Sequence, residues 1–383
     1  MVSVQFIIAA AFSIVPPVIP LLLPEVGIVE IQQVSIWSGL VLGVTPLTAG
    51  IMAPLWGRVV DRVDRRNVIL VACTAAAVCT LLMSIATAAW QLLALRFMMG
   101  FFGGHVVAVM ALVTGVCPPS RVGWALGWLS TAQLAGMLFG PLIGGSIADA
   151  LSSYRAPFVA GGCASLLVGL IVLRLPRQMP NRSDAPADAP RTSGILSRYP
   201  DLRTAVLVLL LAQLAITSAQ PIVSLYVQSL VGPVENLATL AGIAFSVVGV
   251  SGLIAAPQVG RAGDRIGQRR LLTIVLGGAA VFTFVQGFAT TYLSFVSERF
   301  LAGLFLAGVI PLANALVASN VAPEHRGRAF GLTGSATFLG AFIGPLSGGL
   351  INAHFGLARV FEVAGAALIV AGAIVYAARA RGP

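Results

Sequence analysis

Three charged side chains and one histidine lie inside long apolar runs of this sequence, where charge is costly. Arg96 and Arg299 each stand about two helical turns from the end of such a run. An Arg in a membrane span costs about 2.5–3.5 kcal/mol on insertion scales, and such residues usually serve ion or substrate pathways. Glu298 directly precedes Arg299, and helix neighbours point about 100° apart, so the two are not expected to pair. Glu298 and His105 are candidates for proton uptake and release, with packing or snorkelling of all four side chains as the alternative.

A short charged motif occurs twice. The stretch GRVVDRVDRR at 57–66 returns as GRAGDRIGQRR at 260–270, although only 9% of the chain is charged. Gly57 suits a helix end, where a Cβ would be costly. Asp61 suits the positive N-terminus of a neighbouring helix, whereas Asp64 has no evident role. The candidate gating residues of the motif are Gly57, Asp61, Arg62, Arg65, Arg66, Gly260, Asp264 and Arg265.

The composition places these residues in a membrane. The chain is 58% hydrophobic with a mean hydropathy of +0.96, whereas soluble domains are about 45–50% apolar and about 25% charged. A helix crosses a bilayer with about 20 apolar residues. Twelve runs meet this need, so we expect an all-α membrane protein with twelve transmembrane helices. The runs are 2–23, 35–56, 68–88, 91–113, 124–148, 156–173, 202–226, 238–258, 271–289, 293–317, 329–350 and 359–378.

The net charge of +10 does not indicate a nucleic-acid partner. All 23 basic residues are Arg, and nearly all lie in every second connection between the runs. This asymmetry follows the positive-inside rule and predicts that these connections and both termini are cytoplasmic. The four cysteines lack metal-ligand spacing, and no phosphate-binding G-x-x-x-x-G-K-[ST] pattern is present. We therefore expect no metal, no cofactor and no enzymatic activity, and a location in a bacterial plasma or inner membrane.

The two copies of the motif belong to an internal repeat that covers most of the chain. Arg96 matches Arg299 at an offset of 203, and GMLFGPLIGG at 136–145 matches GAFIGPLSGG at 340–349 at an offset of 204. Each copy holds six runs, so both halves enter the membrane from the same side and an axis along the membrane normal relates them. The predicted division is an N-terminal six-helix bundle at 1–174, a cytoplasmic linker at 175–201 and a C-terminal six-helix bundle at 202–383.

The stretch 136–145 has a physical signature of its own. Gly136, Gly140 and Gly144 recur every four residues, so they share one helix face that a neighbouring helix can approach closely. Pro141 removes one backbone hydrogen bond and bends the helix. We interpret this segment, with Gly145, as a hinge or sliding face. Static packing is the alternative, because the second half repeats the pattern.

These motifs resemble those of the major facilitator superfamily, and their order is similar to that of its bacterial drug:proton antiporters. GRVVDRVDRRNVIL at 57–70 resembles the loop between helices 2 and 3, RFMMG at 96–100 the helix-4 Arg motif, and GMLFGPLIGG the antiporter signature of helix 5. The resemblance implies the major facilitator fold of two pseudo-symmetric six-helix bundles. It also implies that the charged loop latches the halves at the cytoplasmic face when the cavity opens outward. Symmetry then pairs Asp61 with helix 11 and Asp264 with helix 5.

The sequence departs from the superfamily pattern in two places. Asp64 stands where the loop motif usually has a Gly, which the second copy keeps as Gly267. Related drug exporters often carry a carboxylate in helix 1 or another cavity helix, but the first six runs hold none near the middle of the membrane. The coupling residue is therefore sought in the second half or in helix 4.

The resemblance implies a secondary transporter that exports small lipophilic compounds by alternating access with proton antiport. The scarcity of polar side chains favours apolar cargo over a sugar or an organic acid, whose importer or uniporter is the nearest alternative. A channel or a membrane enzyme is the alternative from another class. The expected partners are the bilayer, a small-molecule substrate and protons, and we expect a monomer. The candidate lining of a pocket between the halves is Phe12, Trp37, Met110, Gln133, Gln213, Gln220, Asn314 and Phe338.

Overall fold

The computed structural model describes residues 1–118, 121–174 and 194–379, apart from the side chains of 105–107 and 379. Within these ranges the regular elements are all helices. The first half contains α1 (Val2–Ser13), α2 (Ile19–Leu22), α3 (Ile31–Val60), α4 (Arg65–Ser84), α5 (Ala89–Phe101), α6 (His105–Val116), α7 (Val122–Ala150) and α8 (Ala156–Leu173). The rest contains α9 (Ile195–Arg198), α10 (Pro200–Ser218), α11 (Val223–Val231), α12 (Leu237–Ile266), α13 (Gln268–Val285), α14 (Tyr292–Asn320), α15 (Pro323–Phe355) and α16 (Leu357–Arg379).

Among the described residues, ten segments are helical, long and apolar enough to cross a membrane, with α10 and α11 counted as one. The other two predicted spans are broken helices. The first consists of α1 and α2, interrupted at Pro16 and Pro17, which lack the N–H that would continue the helix. The second consists of α5 and α6. The chain is therefore an all-α, multi-pass membrane protein, as the composition predicts.

The break between α5 and α6 was not predicted, since 91–113 reads as one apolar run. Trp56 of α3 occupies the break: its indole N–H donates to the carbonyl oxygen of Phe101 at 2.7 Å. A Cβ on Gly104 would lie within 2.8 Å of the Trp56 ring. The aromatic side chain thus replaces a helical hydrogen bond, and a glycine leaves room for it.

The connections lie on two faces of the bundle. The Arg-rich face carries the connections 61–64, 267 and 321–322, the described residues 117, 118, 121, 174 and 194, the start of α1 and the end of α16. The opposite face carries 27–30, 85–88, 151–155, 232–236, 289–291 and 356. These two names are used below.

Each half has its own apolar core, and a further core is shared near the opposite face. Val109 lies in a cluster confined to the first half, and Leu276 in one confined to the second. Leu21 and Ala148 of the first half join a cluster built mainly by the second half, which includes Phe361. The halves are therefore packed against each other mainly at this end.

Part of the predicted linker at 175–201 falls outside the described residues, namely 175–193. The structure describes 194–201. Ile195 in α9 is buried against Leu202 and Val317 of the second half, and α10 begins at Pro200. The division into two domains and a linker stays a prediction.

Candidate functional site

Two helix pairs form the seam between the halves, α3 with α15 and α7 with α12. Glycines face backbone carbonyls across this seam. A Cβ on Gly39 would overlap the carbonyl oxygen of Pro345, and a Cβ on Gly242 would overlap that of Pro141. The internal repeat relates these two contacts to each other. The seam helices can therefore approach backbone to backbone, as small residues allow in membranes.

Polar contacts join the seam at the opposite face. The Asp149 carboxylate at the end of α7 accepts hydrogen bonds from the backbone N–H groups of Ala238 at 3.2 Å and Thr239 at 2.6 Å, both in α12. Asn352 of α15 donates to the Ser35 hydroxyl of α3 at 2.5 Å. Each contact connects one half of the molecule to the other.

Toward the Arg-rich face the seam helices separate. The Trp124 side chain on α7 is 70% exposed. A Cβ on several glycines of this end would meet no described atom within 4 Å. These glycines are Gly57, Gly123, Gly127, Gly260, Gly327 and Gly331. The structure is thus closed at the opposite face and open at the Arg-rich face.

The glycine motif of α7 packs on two partners. The faces of Gly136, Gly140 and Gly144 lie against the α1 backbone, where an added Cβ would overlap α1 atoms. Gly145 faces the carbonyl oxygen of Ala238 across the seam. Pro141 lies between these contacts, inside the helix. The glycine motif therefore packs α7 both against its own half and against the other half. Its role as a hinge stays a prediction.

Gly57 lies in the last turn of α3, but a Cβ there would meet no described atom within 4 Å; Gly260 lies farther inside α12. α3 and α12 each continue beyond the glycine. Gly57 follows Gly50 by seven residues, about two turns, and Gly50 packs on Phe338 of α15. Gly260 follows Gly249 by eleven residues, about three turns, and Gly249 packs on α7. Both motif glycines therefore lie on the seam faces of their helices, at the open end.

The charged residues after these glycines are at the surface. Asp61 and Arg62 are exposed, as are Asp264 and Arg265. Their exposure fits the open state of the seam at this face. The latch that pairs Asp61 with α15 and Asp264 with α7 stays a prediction.

Asp64 has a structural role that the sequence did not reveal. It is buried and caps α4, with its carboxylate accepting a hydrogen bond from the backbone N–H of Arg66 at 3.0 Å. Arg65 donates to the carbonyl oxygen of Ala111 in α6 at 2.7 Å. At the equivalent point of the second half, Gly267 ends α12 with φ +87°. The two halves thus make this connection differently: four residues with Asp64 at φ −51° in the first half, and the single Gly267 in the second.

Arg299 is fully engaged within the second half. Its Nε donates to the carbonyl oxygen of Ala244 at 2.6 Å, and its Nη1 donates to the Gln286 side chain at 3.4 Å. The guanidinium also lies over the rings of Phe295 and Phe245, at 5.5 and 5.9 Å from their centres. Arg299 therefore has the environment of a packing residue.

Arg96, the equivalent residue of the first half, differs. It is only 4% exposed, yet its Nε and Nη2 have no hydrogen-bond partner among the described residues. Met83 stands where the second half has Gln286, and Met83 is fully buried. A thioether accepts hydrogen bonds only weakly, so the donors of Arg96 lack the acceptor that Arg299 has. Buried unpaired donors are costly and point to a functional constraint.

The two titratable candidates have separate positions. Glu298 is half-buried on α14, and its Oε2 is buried without a hydrogen-bond partner in the described part of the chain. His105 begins α6, directly after the break beside Trp56, and its side chain lies outside the described residues. Arg96, Glu298, Arg299 and His105 thus occupy three different helices, α5, α14 and α6.

The candidate pocket residues lie in different surroundings, and their convergence on one pocket between the halves stays a prediction. Phe12 and Trp37 pack against the core of the first half. Phe338 lies on the seam at Gly50, and the Cβ of Gln213 lies against Gly340 inside the second half. Gln133, Gln220 and Asn314 are half-buried, and Met110 is exposed.

An apolar cavity of about 280 Å³ lies elsewhere, at the Arg-rich end of the first half. None of the predicted pocket residues lines it. Its walls come from the start of α1, the end of α6 and the start of α7, and include Trp124 and Trp128, whose rings meet edge to face at 6.2 Å. The available sequence signal was the GWALGWLSTA stretch, where two Trp residues recur at a four-residue spacing.

The comparison with protein families agrees with this geometry. The model of the Major Facilitator Superfamily matches residues 1–237 and again residues 206–383. The chain belongs to the major facilitator superfamily. The two matches reflect the same internal repeat that places Arg96 and Arg299 in equivalent positions.

Among curated members of the superfamily, the chain is similar to two multidrug resistance proteins MdtG. It is 33% identical over 359 residues to that of Proteus mirabilis, covering 93% of this chain and 89% of the relative. It is 34% identical over 372 residues to that of Serratia proteamaculans, covering 97% and 90%.

Among solved structures, the superfamily fold is shared with a bacterial homologue of the lysosomal transporter Spinster in an inward-facing, occupied conformation. The TM-score is 0.77 at 15% identity, covering 100% of this chain and 95% of that one. The nucleoside transporter NupG has a TM-score of 0.76 at 14% identity, covering 98% of both chains. The predicted major facilitator fold is thereby confirmed.

Sequence reasoning missed several residues of this superfamily member that join its halves. Asp149 ends the fifth span, four residues after Gly145, and Asn352 lies near the end of the eleventh, three residues after Gly349. Ser224 also donates to the carbonyl oxygen of Pro17 in the other half at 2.6 Å. The sequence carried a signal for the first two, since both polar residues follow a glycine motif within about one helical turn.

Proposed function

We propose that this chain is a secondary active transporter that exports small lipophilic compounds, drugs or metabolites, by alternating access and proton antiport. The observation that carries the proposal is its similarity to MdtG multidrug resistance proteins, at 33–34% identity over more than nine-tenths of the chain. The membrane is a bacterial plasma or inner membrane, both termini are cytoplasmic, and the working unit is a monomer. The Arg-rich face is then the cytoplasmic face.

Alternating access is supported by the glycines of the open end. Gly127 precedes Leu138 by eleven residues, about three turns, so it lies on the face of α7 that contacts α12. Gly331 precedes Phe342 by the same interval, on the face of α15 that contacts α3 at Gly43. The seam faces thus carry small residues at both ends. Closing the Arg-rich end would bring these glycines into contacts like those now made at the opposite face.

The latch of the charged loop acts in that second state. When the Arg-rich end closes, Asp61 comes to the N-terminus of α15 and Asp264 to α7, where a carboxylate is stabilised by a helix dipole. Replacing Asp61 by Asn should then slow transport. Unchanged transport rates in Asp61→Asn would contradict this role, and Glu30→Gln, an exposed carboxylate on the opposite face, is the matched control.

Proton coupling is assigned to Arg96 and Glu298 on the basis of their unpaired buried atoms. Arg96 offers a carboxylate or another acceptor two buried N–H donors, at Nε and Nη2, that no described residue engages. Glu298 is a carboxylate with an unpaired buried oxygen, as a proton carrier requires. Export that is driven by a pH gradient equally well in Glu298→Gln would overturn its role.

A drug-susceptibility panel in a bacterial host without its own exporters tests the function. The chain should raise the inhibitory concentration of several lipophilic compounds, compared with a Gly140→Leu variant expressed in the membrane at the same level. Protection against no compound, or equal protection by both proteins, would contradict the proposal. Uptake of a sugar or an organic acid instead would identify an importer.

A further inference from the structure

We propose that Asp149 is an inter-half latch that holds the opposite face closed and so sets the balance between the two states of the transporter. The inference rests on the proposed alternating access. It goes beyond the charged loop, because it concerns the other end of the seam and a residue outside the recognised motifs.

The geometry is that of a helix cap supplied by a different half of the molecule. Ala238 and Thr239 are the second and third residues of α12, and their N–H groups have no partner within the helix. Asn236 stands at the N-cap position but makes no side-chain cap hydrogen bond. Instead, the Asp149 carboxylate accepts a hydrogen bond from each of these N–H groups, one on each oxygen. A carboxylate at this position also interacts favourably with the helix dipole.

The surroundings of Asp149 connect it to both halves. Tyr154, in the connection after α7, packs against a cluster of the first half and against the shared cluster near Phe361. Burial raises the pKa of Tyr154, and the charges of Asp149 and Glu25 add to this effect. Tyr154 therefore stays neutral at physiological pH. The guanidinium of Arg155, in the same connection, pairs with Glu25 at 3.2 Å. The Asp149 carboxylate is therefore left to the N–H groups of α12.

The α3–α15 side of the seam is joined by a neutral contact. Ser35 is related by the repeat to Ala238, and Asn352, one position before Ala353, the repeat equivalent of Asp149, shares a single hydrogen bond with Ser35. Asn352 is buried, whereas Asp149 is half-buried. Among the described residues, the charge-assisted contacts across the seam lie on the α7–α12 side. Such contacts are about twice as strong as neutral ones, so this side resists opening more than the α3–α15 side.

These contacts exist only while the opposite face is closed. Moving α7 away from α12 breaks both hydrogen bonds and leaves the first turn of α12 without its cap. Water replaces the lost partners only in part, because the carboxylate no longer benefits from the helix dipole. Removing the charge therefore favours the state that is open at the opposite face, with an expected gain of about tenfold in its population relative to the closed state.

Distance measurements between spin labels at positions 151 and 234, which flank the seam and are exposed, test the latch without any substrate. The parent protein for labelling lacks Cys117 and Cys163 and is held in lipid nanodiscs. Two variants of it carry Asp149→Asn or Asp149→Ala. We expect both variants to shift the distance distribution toward longer separations. The matched control Glu30→Gln removes an exposed carboxylate on the same face whose described hydrogen bond, from Gln33, lies within its own half, and it should leave the distribution unchanged.

Two results would overturn the latch. One is a distribution in both Asp149 variants that is identical to that of the parent protein. The other is an equal shift in Glu30→Gln, which would assign the effect to surface charge in general. A parent protein that exports no drug in the susceptibility panel would refute the proposed function alone, because the distance measurement needs no cargo.

Discussion

Ser13 and Thr217 make the same hydrogen bond in the two halves of the molecule. The Ser13 hydroxyl donates to the carbonyl oxygen of Gly136 at 3.0 Å, and the Thr217 hydroxyl donates to that of Gly340 at 3.3 Å. Each bond ties the first helix of a half to the glycine face of its fifth helix. The internal repeat therefore extends to single hydrogen bonds, and departures from it are informative.

The first prediction concerns the glycine face. In Gly140→Leu the new side chain meets Ser13 and the backbone of Ala10, so α1 and α7 must separate. Overpacking of this kind costs about 1–3 kcal/mol, and export should fall by about tenfold or more. Gly169→Leu is the matched control, because a Cβ there meets no described atom within 4 Å. Normal insertion and normal export in Gly140→Leu would refute a role for this face.

The second prediction separates the two arginines. Arg299→Gln leaves the carbonyl of Ala244 and the side chain of Gln286 without their donor, which should cost about 1–3 kcal/mol and lower the melting temperature in detergent. Arg96→Gln removes donors that have no partner, so it should abolish export with little loss of thermal stability. Equal melting temperatures together with equal export in the two variants would show that the distinction is wrong.

The third prediction uses Met83. Met83→Gln places an amide where Gln286 stands in the second half, so Arg96 gains the acceptor that it lacks. The melting temperature should rise and export should fall, because the guanidinium is then engaged. Met83→Leu, which conserves volume and should cost less than about 1.5 kcal/mol, is the control. Export at the parent rate in Met83→Gln would mean that an unpaired Arg96 is not required.

The fourth prediction concerns the cap of α4. Asp64→Ala removes the acceptor for the N–H of Arg66, and loss of a cap costs about 0.5–2 kcal/mol. Asp64→Gly should cost only a few tenths of a kcal/mol, as the second half already has Gly267 in this place. Thermal unfolding of the purified protein compares the two variants. A larger loss with Gly than with Ala would contradict the capping role.

The sequence predicted the fold because its main signals are one-dimensional. Run length and hydropathy define the spans, and the repeat defines their grouping. The break at Gly104 escaped prediction, since it depends on Trp56 from a different helix.

The candidate site was predicted less well, because partners across helices decide the role of each residue. Arg96 and Arg299 are indistinguishable in their own segments, and only Met83 and Gln286 on the preceding helices separate them. The sequence did not predict a role for Asp149, because this residue lies at the end of a span, where a carboxylate is common. Its role appears only when α12 of the other half is placed beside it.

Transport by the purified protein in proteoliposomes tests the central claim most directly. With the protein reconstituted and a pH gradient imposed, a lipophilic drug identified in the susceptibility panel should accumulate on the acidic side against its own gradient. An ionophore that dissipates the pH gradient should abolish this accumulation. Equilibration of the drug at the same rate with and without the gradient would contradict proton-coupled export.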